Sequence, residues 1–219
     1  MQHAIVRHIE SDVDNRLTEL GLDRTTLHAV VAACVGAARG CTDNDPPGAY
    51  GYESYRLGTR RARELLRPKG WDKDDAGGYA CVLNHKRRVR LVVMNADDGA
   101  GLVDRGATNR CRKGQMSERV SLQNQSQMRL EVDMPVPLLP DTSRQADGYE
   151  TWHLCVHITA SHVRAELSML TGYQNGFFTS FIEKLILIAP GDWDDPQVKP
   201  AGDSGPDDGQ DYDIIVKLK

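Results

Sequence analysis

The chain has little of what would place it in several large protein classes. Its five cysteines, Cys34, Cys41, Cys81, Cys111 and Cys155, include no CxxC pair. That spacing excludes a zinc ribbon and offers no disulfide framework, so reduced thiols and a cytoplasmic location are expected. Apolar stretches are short, Ala29–Val35 and Leu185–Ala189 among them, far below the ~18 residues a membrane span requires. The opening residues MQHAIVRHIESD lack a basic region followed by an apolar one, so no secretory signal is expected there. GxxxxGK[ST] and GxSxG are both absent, which argues against a P-loop and against a serine hydrolase of that type. Aromatic residues make up 6 % of the chain, so aliphatic side chains must supply most of the burial. Lysine is scarce, with 8 against 19 arginines, a balance expected of a GC-rich bacterial genome.

What is present suits one core. A chain of 219 residues is long enough for a single sizeable domain and short for two. It divides into a helical part, 1–70, and a sheet part, 71–219. Val6, Ile9, Val13, Leu17 and Leu20 recur at three- and four-residue steps and predict a helix stopped by Gly21. Leu27, Val30, Val31, Cys34 and Val35 predict a second helix, capped by Thr25 or Thr26 and ended at Gly40. A third is expected from about Glu53 to Arg67, closed by Pro68.

Beyond Trp71 the period falls to two. Tyr79–His85 and Arg88–Asn95 read as strands, and residues 96–127 as a long polar loop. Met128–Val136 reads as a half-buried edge strand, and Phe177–Ile182 as a helical turn. Trp152–Thr159 and His162–Met169 form the clearest hairpin. Lys184–Ile188 and Tyr212–Leu218 complete the strands, with 191–211 expected to be mobile. The expected fold is α+β: N-terminal helices packed on a mainly antiparallel sheet of five to seven strands.

Two features carry chemistry. The first is an uneven charge. The net charge is -4, yet residues 56–119 hold 16 basic and 8 acidic side chains. Within them Arg56, Arg60, Arg63 and Arg67 fall inside about 60° of one another on a helix. Tyr55, Ala62, Leu65 and Leu66 supply a neighbouring anchoring face. Guanidinium groups in a row repel one another unless something anionic lies among them, and their fork suits phosphate. Arg110, Arg112 and Lys113, with Arg105 and Arg119, populate the loop beside several glycines and could close on the same ligand. A nucleic acid or other polyanion is the expected partner. An acidic protein, or the chain's own acidic end, is the alternative, and a solvated helix face is the plainest reading.

The second feature is the hairpin's polar face. With Ala160 and Ser161 in the turn, Ile158 opposes Val163, Val156 opposes Ala165 and Leu154 opposes Leu167. The other face then carries His153, Cys155 and His157 against Ser168, Glu166 and Arg164. His153, His157 and Glu166 could ligate a divalent metal, Zn²⁺ or Fe²⁺, and serve a hydrolase or nuclease. A covered polar surface is the simpler account. Asp97 with Glu131 and Asp133 is a weaker carboxylate cluster. A binding protein for a polyanion is the leading expectation. The metal-dependent enzyme and a protein-binding adaptor are its rivals.

Overall fold

A computed structural model of the chain describes residues 4–130 and 148–193. The described residues form an α+β fold built on a seven-stranded sheet. The first strand, β1 (Ile5–Arg7), leads directly into α1 (Glu10–Leu20). Val6 therefore belongs to a strand, not to the helix its spacing suggested. Val13, Leu17 and Leu20 are buried, and Gly21 ends the helix at φ 76° as its N–H returns to Leu17 and Thr18 carbonyls. The cap of α2 (Arg24–Arg39) is Asp23, whose carboxylate accepts from the Thr26 N–H at 2.8 Å. This corrects the expectation of a threonine cap: Thr26 is the donor.

The third helix, α3 (Ala49–Leu66), begins four residues earlier than expected and passes into a short 3-10 turn at Arg67–Lys69. Gly58 lets α3 approach α2 closely, because a Cβ there would lie 2.2 Å from the Cys34 sulfur. The strands β2 (Asp72–Asp74), β3 (Cys81–Asn84) and β4 (Val89–Asn95) follow. Then come α4 (Gln115–Leu130), β5 (Glu150–Ile158), β6 (Val163–Gln174) and β7 (Phe177–Ile188).

The strand order is β1-β7-β6-β5-β4-β3-β2. The sheet is mixed, not mainly antiparallel: β1 pairs with β7, and β4 with β5, in parallel. The physical reason is the long connection from β4 to β5, which carries α4 and allows a parallel return. That helix occupies part of the stretch expected to be a loop, and it takes in residues 128–130, expected to begin a strand. The rest of that expected strand, and the one at 212–218, lie outside the described residues. Phe177–Ile182 is strand, not a helical turn, since it pairs with β6 from Phe177 to Phe181.

Two cores result. Residues of α1, α2 and α3 share one core with Leu91, Val93, Trp152, Leu154, Val156 and Leu167. On the opposite sheet face, Met94, Cys155, Leu170 and Phe178 pack with Ala100 and Ala107 of the β4–α4 connection. No helix among the described residues is long and apolar enough to cross a membrane.

Candidate functional site

The arginine row lies on α3 as its spacing predicts. The apolar side of that helix buries Gly58, Ala62 and Leu66, and the opposite side faces solvent. Arg56, Arg60 and Arg67 are exposed, and Arg63 is half-buried at the border. The row is not bare. Arg56 pairs with Glu53 at 2.7 Å, Arg60 with Glu64 at 2.7 Å, and Arg63 with Asp75. Among the described residues Arg67 forms no ion pair. The protein's own carboxylates thus meet three of the four arginines. The Arg56 and Arg60 pairs are open to water, where such pairs are weak and readily exchanged.

Sequence reasoning missed one member of this ridge. Tyr52 is 61 % exposed, one turn before Arg56 and on the same side of the helix. A helix that starts at about Glu53 leaves Tyr52 outside it. The signal that could have found it was the four-residue step from Tyr52 to Arg56.

The basic loop lies against the same end of α3. The Arg110 guanidinium is 5.8 Å from the Tyr50 ring centre, and the Lys113 ammonium 6.0 Å from that of Tyr55. The Arg112 Nε donates to the Asn175 carbonyl at 3.0 Å. The Asn95 side chain ties β4 to α3 by donating to the Gly51 carbonyl at 2.7 Å, while the Asn95 carbonyl accepts from the Arg110 N–H at 3.1 Å. Arg110 and Lys113 are therefore placed beside the N-terminal half of α3 by the end of a central strand, whereas Arg112 reaches to the β6–β7 turn.

The hairpin register matches its expected pairs: Cys155 opposes Glu166, His153 opposes Ser168, and His157 opposes Arg164. Their face, however, is covered. Glu166 is fully buried and accepts from the Gly101 N–H at 2.9 Å, the Ser168 hydroxyl at 2.6 Å and the Ala107 N–H at 3.4 Å. Lys184, also fully buried, lies 4.0 Å away and donates to the Leu102 and Arg105 carbonyls. Burial raises the Glu166 carboxyl and lowers the Lys184 ammonium from their ordinary values.

His153 is fully buried, with Nε2 2.8 Å from the Tyr79 hydroxyl and its ring on Phe178. Burial pushes its pKa down to about 3, so it is neutral. The His157 Nδ1 donates to the Ala96 carbonyl at 3.3 Å. Among the described residues no three His, Cys, Asp or Glu side chains converge on a metal position, so the expected set His153, His157 and Glu166 is not brought together as ligands. Glu131 and Asp133 lie outside the described residues. Each partner of Glu166 that belongs to the loop is a backbone group, which makes this cluster a fastening for residues 99–107.

Neither a family model, nor a curated protein, nor a solved structure matches this chain. The functional reading therefore rests on the geometry of α3 and its surroundings.

Proposed function

We propose that the protein binds a polyanion, with single-stranded nucleic acid as the ligand class, along the exposed side of α3. The observation that carries this reading is the alignment of Tyr52 with Arg56, Arg60 and Arg67 on one solvent-facing ridge. An aromatic ring gives a base something to stack on, and guanidinium groups at helical spacing track a phosphate backbone. Arg110 and Lys113 add positive charge beside the helix's N-terminal half.

The ion pairs of Arg56 and Arg60 do not block this role. A phosphate exchanges one exposed anionic partner for another, and counterion release adds to the gain. Residues 49–69 hold six cations and two carboxylates, and with Asp75 and Asp23, the partners of Arg63 and Lys69, six cations face four carboxylates, so this stretch stays positive with its pairs counted.

Fluorescence anisotropy with a labelled oligothymidylate, at low and at moderate salt, tests the reading. Binding at low salt that weakens steeply with added salt is expected. Absence of binding at low salt by the whole chain, and by a full-length variant with the seven aspartates of 194–219 replaced by asparagine, removes it. Tyr52→Ala should weaken binding without altering the salt dependence, because a ring releases no counterion.

A further inference from the structure

We propose that the chain's own acidic segment, residues 194–219, docks on the exposed face of α3 and competes there with the polyanion. The contact deepens the reading above: its regulatory consequence rests on that reading, but the contact itself does not.

The first argument is where the described chain ends. The Trp193 carbonyl accepts from the Val163 N–H at 3.0 Å, and its ring packs against the main core. Val163 pairs with Ile158, whose carbonyl accepts from the Tyr50 hydroxyl at 2.9 Å. Tyr50 lies in the first turn of α3. Trp193 therefore lies within two strand spacings, one hydrogen bond and the length of a tyrosine side chain, about 20 Å in all, of the helix end where the ridge begins.

The second argument is reach. The segment has 26 residues and α3 has 18. At about 3.3 Å per extended residue the segment exceeds the ~27 Å length of the helix several-fold. A tethered partner of this kind acts at an effective concentration of about a millimolar, so a populated contact requires several of its carboxylates to meet the ridge together.

The third is charge. Residues 194–219 hold seven aspartates and three lysines, with no glutamate and no arginine. Aspartate carboxylates are the natural partners of guanidinium groups, and Arg67 has none among the described residues. Tyr52, exposed at the head of the ridge, gives the aliphatic run Ile214–Val216 a surface to cover.

The experiment uses the whole chain and a variant with all seven of those aspartates replaced by asparagine. The side-chain Nε–H signals of Arg56, Arg60, Arg63 and Arg67 are followed by NMR, with the Arg16 signal as control. The ridge signals are expected to differ between the two proteins at low salt and to converge as salt is added, while Arg16 stays fixed. Identical ridge signals at low salt overturn the contact, whatever the nucleic acid does. Anisotropy with the same oligothymidylate then tests competition: the asparagine variant is expected to bind about tenfold more tightly. Equal affinities overturn the competition. Shifted arginine signals with no binding by either protein support the contact and overturn the polyanion reading.

Discussion

The most consequential single residues are the ones that expose nothing. Glu166 and Lys184 meet on the covered sheet face and divide the work on one loop. The carboxylate takes the amides of Gly101 and Ala107, and the ammonium takes the carbonyls of Leu102 and Arg105. Removing one member leaves the other charged without a partner in a dry site, which typically costs about 3–5 kcal/mol. Lys184→Met is therefore expected to lower the unfolding free energy by about 3 kcal/mol in a denaturant titration. Adding Glu166→Gln to Lys184→Met keeps an oxygen for the amides and removes the stranded charge, so the double variant should recover part of the loss. Strict additivity of the two single losses would mean that the pair is not coupled.

His153 gives a pH-dependent prediction at the same scale. Its native pKa is about 3, against about 6.5 in the unfolded chain. Between those values the unfolded state binds the extra proton, so stability rises with pH there. The contribution is fully present above about pH 6.5 and is lost as pH falls toward 3, at up to ~1.4 kcal/mol per pH unit. His153→Gln keeps a partner for the Tyr79 hydroxyl and does not titrate. Its stability should fall less steeply between pH 6 and pH 4, by about one proton; an unchanged slope would rule out a neutral buried imidazole.

At the scale of elements, the meeting of α2 and α3 sets how the ridge is presented. Alanine at position 58 would gain about 1 kcal/mol in helix propensity. Its Cβ would also fall 2.2 Å from the Cys34 sulfur and 3.1 Å from a Val93 methyl. Overpacking of that kind costs about 1–3 kcal/mol, so Gly58→Ala should be destabilising overall. Combining it with Cys34→Ala removes the sulfur and should restore much of the loss, as thermal melts would reveal.

These elements also explain what was legible in the sequence. The β5–β6 hairpin could be read to the residue because a slip of one position would have placed Leu154 and Leu167 on the polar side. The α4 helix could not, because three of the four residues it buries among those described, Ser117, Ser121 and Asn124, are polar and only Val120 is apolar. Asn124 bridges the Thr151 and Leu170 backbones instead, with bonds of 3.0, 3.0 and 2.8 Å. With α4 unseen, the parallel return to β5 was hidden too. The three-residue β1 merged into the helical period of α1. The arginine ridge was visible from spacing alone, but its carboxylate partners were not: Asp75 reaches Arg63 only through the turn that brings β2 beside α3.

At the scale of the whole molecule, the fold separates charge from core. The three N-terminal helices and the sheet bury the apolar residues, and α3 is left with one face inward and one positive face outward. From Tyr52 to Arg67 that outward row spans about 22 Å along the helix axis. An extended single strand places about four phosphates over such a length, within the usual site sizes for this kind of surface. Four phosphate contacts on a single strand give a slope of about -3 for log Kobs against log salt, at ~0.7 per contact. Replacing Arg60 and Arg67 together with alanine should bring that slope to about -1.5 while leaving the unfolding free energy nearly unchanged, since both side chains are exposed. Measured on the variant without acidic charge in 194–219, so that no internal competitor contributes its own salt dependence, a slope that ignores the two arginines would place the ligand elsewhere on the protein.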